Sequence, residues 1–358
     1  MTTIGIGTQS SEQALASLSN MTHTLTPIAA DEHLERIAKA QAYMLANNID
    51  AIYLNAGTNL TYFTGMKWYA SERMVGAILP ALGEVQYIAP YFEIGSLNGF
   101  KVIEGPIHGW QEHENPYALF VEVLKKLNIN ANATIGIDES AQFFIFDGIN
   151  KAQTGLTLIN AQPVTAHCRM HKSIHELSLM QRAMDMTLAV HQATASMLYE
   201  GITTTEVVAF IKQAHQKVGA PGNYFCIVLF GVATSFPHGV KDAQVLKKGD
   251  MVLIDTGCKV HNYLHDYLSD ITRTYVFGEP TMRQRMFWDH EKAAQMAAFN
   301  AAKIGATCEN VDEGTRTYLA AQGLGPQYQT PGCPHRTGHG IGLDIHESPY
   351  LVGGDKTP

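Results

Sequence analysis

The sequence predicts an α/β protein with two domains. Its 358 residues exceed what one ordinary hydrophobic core accommodates. Strand and helix patterns alternate as far as residue 165, and periodicity is lost over 163–173, PVTAHCRMHKS. A long helical pattern then follows over 174–200. We therefore expect a small α/β domain over 1–165 and a second domain over 166–358.

The first domain opens with an amphipathic helix that we expect Asp31 to cap and Asn47-Asn48 to end. Its apolar residues recur at helical spacing, namely Leu34, Ile37, Ala38, Met44 and Leu45. Strands follow, predicted over 50–54, 75–80, 85–89, 101–104 and 134–138, with helices near 117–127 and 142–151.

The second domain opens with two helices, over 174–200 and 204–218, and Gly-Ala-Pro-Gly at 219–222 stops the second of them. Strand-forming residues then dominate over 224–230, 251–255 and 270–277. Helices return at 282–304 and 311–322, ahead of a segment rich in glycine and histidine. The order of helix pair, strands, helix pair and strands indicates a mixed α and β domain.

Composition and charge exclude several classes of protein. With 46% hydrophobic and 16% charged residues, the chain is typical of globular proteins. A net charge of -8 leaves no basic stripe for nucleic acid. No run of 18 apolar residues and no signal-like N-terminus is present, so we expect no membrane partner and a location in the cytoplasm. Five scattered cysteines without CxxC spacing agree with reduced thiols.

Two aspartates stand at the strands that organise the second domain. Asp255 follows the apolar run Met251–Ile254 and precedes Gly257, and Asp270 precedes Ile-Thr-Arg-Thr. Two carboxylates on neighbouring strands beside glycine can converge on a cation. Taken alone, the pair is more typical of two turn aspartates on a hairpin.

A segment rich in histidine and glycine favours the cation site over turn aspartates. The segment His335-Arg-Thr-Gly-His339-Gly-Ile-Gly-Leu-Asp-Ile-His346 and the upstream Pro237-His238-Gly239 supply four imidazoles. Together with the D-T-G and S-D-I-T-R-T motifs, they resemble the creatinase, aminopeptidase P and prolidase group of metallopeptidases. The resemblance implies a C-terminal catalytic domain of the pita-bread fold, an α+β arrangement with pseudo-two-fold symmetry, behind a small N-terminal α/β domain.

The resemblance assigns a role to each candidate residue. It implies that Asp255, Asp270 and His339 are metal ligands, and that His238, His346 and His335 line the substrate pocket and act in catalysis. It also implies two divalent ions, with Mn²⁺ preferred and Co²⁺ or Zn²⁺ as alternatives. The glycines beside His339 fit because backbone without Cβ atoms can approach a ligand closely and adopt positive φ.

The ligand set departs from the family pattern in number. The family uses two further glutamates on later strands, and the sequence reaches Pro358 before such strands. Three of the five ligands are therefore expected within it. Either the given chain lacks a C-terminal segment that the molecule has, or the protein is a shortened, metal-poor member.

The spacing of the aspartates departs as well. Asp270 is further from Asp255 than the family pattern requires, since 270 − 255 = 15, whereas Asp266 stands at the usual family spacing. The excess coincides with a near repeat, Tyr263-Leu-His-Asp266 followed by Tyr267-Leu-Ser-Asp270. We expect Asp270 to be the ligand, because a strong strand follows it, and Tyr263–Asp266 to be an insertion that lengthens the hairpin.

These observations lead to one functional hypothesis and three alternatives. The resemblance implies metal-dependent hydrolysis of Xaa-Pro bonds by a metal-bridging hydroxide, most like an Xaa-Pro dipeptidase acting on proline-containing peptides as a homodimer. The alternatives are an Xaa-Pro aminopeptidase for longer peptides, a metal-free C–N hydrolase like creatinase, and an inactive peptide-binding scaffold. The retained carboxylate pair speaks against a metal-free site, because two close carboxylates repel each other.

Overall fold

A computed structural model describes residues 5–262 and 265–358, which form two compact units. The N-terminal unit comprises Thr26–Lys172 and the described part of Asn262–Asp266. The C-terminal unit comprises the described part of Met1–Leu25 together with Ser173–His261 and Tyr267–Pro358.

Both units contain helices and strands. The helices are α1 (Ser11–Ala16), α2 (Ala30–Ala46), α3 (Thr58–Thr64), α4 (Ile94–Phe100), α5 (Pro116–Lys126), α6 (Phe143–Ala152), α7 (Gln162–Arg169), α8 (Ile174–Met197), α9 (Thr204–Lys217), α10 (Met282–Ala301) and α11 (Cys308–Ala321). The strands are β1 (Ala51–Asn55), β2 (Gly76–Pro80), β3 (Gln86–Pro90), β4 (Ile107–Trp110), β5 (Thr134–Ile137), β6 (Thr157–Asn160), β7 (Asn223–Phe230), β8 (Met251–Asn262), β9 (His265–Leu268), β10 (Ile271–Val276), β11 (Gly338–Gly340) and β12 (Glu347–Leu351). Within the described ranges, no helix combines the length and the apolar character that crossing a membrane requires.

A six-stranded sheet in the order β4-β3-β2-β1-β5-β6 forms the centre of the N-terminal unit. Strands β1 to β3 pair antiparallel and are buried at every residue, as expected where both faces of a sheet are covered. Strands β5 and β6 continue the sheet in parallel. The core on this sheet includes Tyr53, Phe120 and Ile149.

Helix α2 buries only part of the face that its apolar residues predict, because Ile37 and Met44 are buried as expected and Ala38 is exposed. Leu34 and Leu45 are half exposed, whereas His33 and Arg36 are buried. The backbone carbonyl of Tyr62 accounts for this, because His33 Nδ1 lies 2.9 Å and Arg36 Nη1 lies 3.0 Å from its oxygen. Buried polar groups need such partners, and a hydrophobicity pattern does not reveal them.

Three further expectations for the N-terminal unit are corrected. Ala29, not Asp31, occupies the N-cap of α2. The predicted strand over 101–104 is wrong, because Ile103 N donates to Thr64 O outside any ladder and the strand that pairs with β3 is β4. The stretch 163–173, expected to be aperiodic, contains most of α7, whose second residue is a proline.

The C-terminal unit holds an antiparallel sheet in the order β10-β8-β7, with β9 paired to β8. A second sheet consists of β11 and β12. Helices α8 and α9 begin with capping boxes, in which Ser173 and Thr203 exchange hydrogen bonds with Glu176 and Glu206. Strand β8 is longer than predicted and extends through Asn262.

The described part of Met1–Leu25 lies in the C-terminal unit, although it was expected in the first domain. Backbone hydrogen bonds explain its position: Gly7 N donates to Ala195 O, and Gln9 N donates to Ser196 O, each at 3.0 Å. These bonds attach the N-terminal segment to the end of α8, which is far away along the sequence. A contact of that separation leaves no local pattern.

Candidate metal centre

Asp255 lies on the central strand of the C-terminal sheet. Strand β8 places it between Ile227 of β7 and Thr272 of β10. The Thr272 hydroxyl donates to Asp255 Oδ1 at 2.7 Å. Paired backbone on both sides and a hydroxyl on the carboxylate therefore fix this side chain in position.

Asp270 directly precedes β10, whose first residue, Ile271, pairs with Thr256 of β8. A Cβ atom on Gly257 would lie 1.8 Å from Ser269 O, so only glycine permits the chain to pass there. The backbone N–H of Leu268 donates to Gly342 O at 2.9 Å, which ties this chain to the glycine and histidine segment. The D-T-G motif thus has a steric cause.

The two carboxylates are close enough to perturb each other. Burial, the negative charge of Asp255 and a hydrogen bond shared with it raise the pKa of Asp270 to about 6, and His339 opposes that rise. His339 Nε2 lies 3.6 Å from Asp270 Oδ2. Asp270 therefore stands next to both other residues expected to bind metal.

His339 presents one particular nitrogen to Asp270. Its Nδ1 lies 3.0 Å from Gly340 O, an acceptor, so Nδ1 carries a proton and Nε2 is the nitrogen that could bind a metal ion. A ring nitrogen held by a backbone carbonyl is the arrangement that orients metal-binding histidines.

The glycines beside His339 serve another purpose than the one expected. Neither Gly338 nor Gly340 has positive φ. A Cβ on Gly340 would lie 2.5 Å from Ser348 O, and one on Gly338 would lie 2.9 Å from a Leu351 methyl. These glycines let β11 press against β12, and so they position His339 through the sheet.

His346 and His238 lie near this group. The rings of His339 and His346 meet edge to face, with centroids 4.4 Å apart. One possible ligand atom each from Asp270, His339 and His346 lies within 4.8 Å of the others. Burial lowers the pKa of His346, and the charges of His339, Arg336 and His238 contribute. His238 is exposed on the loop after β7.

His335 lies in a separate group of contacts. Its Nδ1 lies 2.7 Å from Arg336 O and 3.9 Å from Cys333 Sγ, and the thiol raises the pKa of His335 to about 9. Among the described residues, no contact joins His335 to Asp255, Asp270 or His339.

Asp266 pairs with a lysine and not with the candidate metal ligands. Its Oδ2 lies 2.8 Å from Lys67 Nζ, and both residues belong to the N-terminal unit. Of the two aspartates in the near repeat, Asp270 is the one beside His339. The predicted insertion Tyr263–Asp266 includes Tyr263 and Leu264, which lie outside the described residues.

Sequence comparison places the chain in a family. Residues 178–358 match metallopeptidase family M24, and residues 36–171 match the creatinase/prolidase N-terminal domain. The chain belongs to metallopeptidase family M24.

Solved structures agree with that membership. Dipeptidase PepE from Mycobacterium ulcerans is 29% identical, with a TM-score of 0.84, and the match covers 93% of this chain and 87% of that chain. A prolidase from Thermococcus sibiricus is 29% identical, with a TM-score of 0.79 and a coverage of 91% and 86%. The expected class, an N-terminal α/β domain with a pita-bread M24 domain, is confirmed.

Membership of family M24 implies divalent metal ions, and the residues present fit them. Asp255 and Asp270 are two carboxylates of like charge that repel each other, and the imidazole of His339 lies beside them. Together they form a hard donor set that a bound cation would stabilise. Asp255, Asp270 and His339 would hold the ions.

Several residues around this M24 centre carry no signal that sequence reasoning used. Thr272, inside the T-R-T motif, bonds Asp255, and Ser269, inside S-D, is fully buried behind Asp270. His191 Nε2 lies 2.9 Å from Ile271 O and so contacts the start of β10 from α8. The S-D-I-T-R-T context could have indicated Ser269 and Thr272; nothing local indicates His191.

Proposed function

We propose that this protein is an Xaa-Pro dipeptidase that uses divalent ions bound by Asp255, Asp270 and His339. The observation that carries the proposal is the convergence of these three side chains in an M24 chain. The dipeptidase and the prolidase among the similar structures support the substrate class.

Neighbouring groups hold the proposed ligands in place. Thr272 holds the Asp255 carboxylate, and the Gly340 carbonyl holds the His339 ring, so neither group needs to reorganise when cations bind. Asp270 stands beside both and would hold the ions together with them. When bound, such ions supply the Lewis acidity that activates water and polarises a peptide carbonyl.

His346 and His238 are proposed to act on the substrate. His346 packs edge to face with the His339 ring and is exposed, so it can reach a peptide lying over the centre. An imidazole there can donate a hydrogen bond to the tetrahedral intermediate or move a proton to the leaving amine. His238 is close enough to affect His346 electrostatically. For His335 we propose a more distant place in the same pocket.

Metal identity, location and assembly complete the proposal. An oxygen-rich set with one imidazole suits Mn²⁺, with Co²⁺ or Zn²⁺ as alternatives. All five cysteines are free, which supports a reducing cytoplasmic location. We infer a homodimer from the family resemblance.

The test combines metal removal with a substrate series. The protein is treated with a chelator, dialysed and assayed on Ala-Pro, Ala-Ala and Ala-Pro-Ala with and without added Mn²⁺. We expect hydrolysis of Ala-Pro alone, abolished by chelation and restored by Mn²⁺. Preference for the tripeptide would favour the aminopeptidase, and full activity without metal would favour the creatinase class.

A further inference from the structure

A buried line of polar side chains runs behind Asp270. Ser269 Oγ lies 2.7 Å from Thr187 Oγ1 on α8, which lies 3.3 Å from His215 Nε2 on α9. The backbone N–H of Cys258 on β8 donates to Ser269 Oγ at 2.9 Å. Ser269, Thr187 and His215 are all completely buried. The line thus joins two helices to β8 and to the residue before Asp270.

His215, at one end of this line, sets the direction of the hydrogen bonds along it. His215 Nδ1 lies 3.1 Å from the carbonyl of Ile211, so it must donate, and Nε2 keeps a lone pair. Burial lowers the pKa of His215 to about 4, so the ring is neutral. Thr187 therefore donates to His215, and Ser269 donates to Thr187. Ser269 in turn accepts from the backbone N–H of Cys258, while Cys258 O and Sγ lie 3.3 Å and 3.6 Å from Ser269 Oγ, farther than Thr187 Oγ1.

Ser269 is also held through its backbone. Its N–H donates to Cys258 O at 3.1 Å, and its own carbonyl occupies the space that a Cβ of Gly257 would need. Backbone and side chain of the residue that directly precedes Asp270 are thus both fixed. Small rotations at Ser269 would move the Asp270 carboxylate, which stands 3.6 Å from His339.

The near repeat shows why the residue type matters at this position. A slip of four residues keeps each side chain on its own face of the sheet, so facing cannot distinguish the two registers. The slipped register would bring the histidine of Leu-His-Asp to the place of Ser269. An imidazole cannot enter a fully buried space sized for one hydroxyl without overpacking it.

We propose that Ser269, held by Thr187 and His215, is a positioning residue that fixes Asp270 in the metal centre. This inference rests on the proposed function, because it concerns the same metal site. Loss of outer partners of metal ligands typically lowers metal affinity about 10- to 100-fold. We expect a loss of that size when the line is broken.

The test compares Thr187→Val with Thr194→Val, both isosteric losses of a buried hydroxyl on α8. Thr194 is equally buried, and its hydroxyl donates to Val190 O at 2.7 Å within the helix. Mn²⁺ affinity of the metal-free protein is measured by calorimetry, Co²⁺ coordination by visible absorption, and Tm by scanning. Thr187→Val should weaken Mn²⁺ binding about 10- to 100-fold and change the Co²⁺ spectrum, whereas Thr194→Val should leave both unchanged.

Two further variants keep the test decisive. Thr187→Ser retains the hydroxyl and should restore wild-type affinity, and Ser269→Ala should reproduce the Thr187→Val loss. If Ser269→Ala does not fold, the comparison of valine and serine at 187 decides. The inference is overturned if Thr187→Val lowers Tm but binds Mn²⁺ within twofold of the wild type. A wild-type protein that binds no metal would instead overturn the proposed function as well.

Discussion

The two aspartates of the near repeat allow a sharp test of the metal centre. Asp270→Asn removes a carboxylate that lies 3.6 Å from His339, and Asp266→Asn removes one that lies 2.8 Å from Lys67. The substitutions are chemically identical and lie in the same near repeat. We expect only Asp270→Asn to lose metal and hydrolysis.

The structure gives the size of the Asp270 effect. Burial and Asp255 raise the pKa of Asp270 from 3.8 to about 6, so ionised Asp270 carries a cost of about 3 kcal/mol without a cation. Bound cations offset the repulsion between Asp270 and Asp255, whereas asparagine removes both the charge and a ligand oxygen. Asp270→Asn should therefore weaken metal binding by more than the roughly 10- to 100-fold that loss of an outer partner of a ligand typically costs.

Asp270→Asn should have the opposite effect on the stability of the metal-free protein. Without metal, Asp270→Asn removes repulsion, so the metal-free variant should melt several degrees above metal-free wild type. Asp266→Asn loses a partly exposed ion pair, which costs about 1 kcal/mol or less and lowers Tm slightly.

The assay is metal content after dialysis, with calorimetric titration of Mn²⁺ and a thermal scan of each metal-free variant. Retention of metal by Asp270→Asn, together with its loss from Asp266→Asn, would refute the assignment. It would show that the family spacing from Asp255, rather than the strand after Asp270, selects the ligand.

Two other predictions concern histidines. His346→Ala and His238→Ala should each lower kcat by roughly 100-fold with metal content unchanged, as measured by steady-state kinetics and metal analysis. Loss of metal from His346→Ala would instead identify His346 as a ligand, since it stands beside Asp270 and His339. Burial and the nearby Arg36 lower the pKa of His33 to about 4, below its unfolded value of about 6.5. Its contribution to stability should therefore be complete above pH 6.5 and fall by up to roughly 3 kcal/mol towards pH 4. His33→Gln should flatten the dependence of Tm on pH in this window, and an unchanged slope would contradict the assignment.

Local patterns in the sequence predicted most elements of both units. Alternating apolar runs located β1, β2, β3 and β5 closely, and the helical period located α5, α8 and α9. These features depend on interactions between residues close in sequence, which a linear pattern records. The motifs around Asp255, Asp270 and His339 likewise identified the family, since each motif is a short segment with its own steric requirement.

Other features depended on residues distant in sequence. The prediction of a strand at 101–104 was wrong. Pairing with β3, which local propensity does not record, made β4 the strand instead. The described part of Met1–Leu25 joins the C-terminal unit through hydrogen bonds to α8.

The centre itself shows the same division. The sequence alone determined that Asp255, Asp270 and His339 are candidate ligands, but it offered Asp266 as a rival to Asp270. Only the tertiary structure placed Asp266 against Lys67 and Asp270 beside His339. The physical reason is that a strand repeats every two residues, so a shift of four leaves the local pattern unchanged. Packing distinguishes the two registers, because the buried space behind Asp270 accepts the hydroxyl of Ser269.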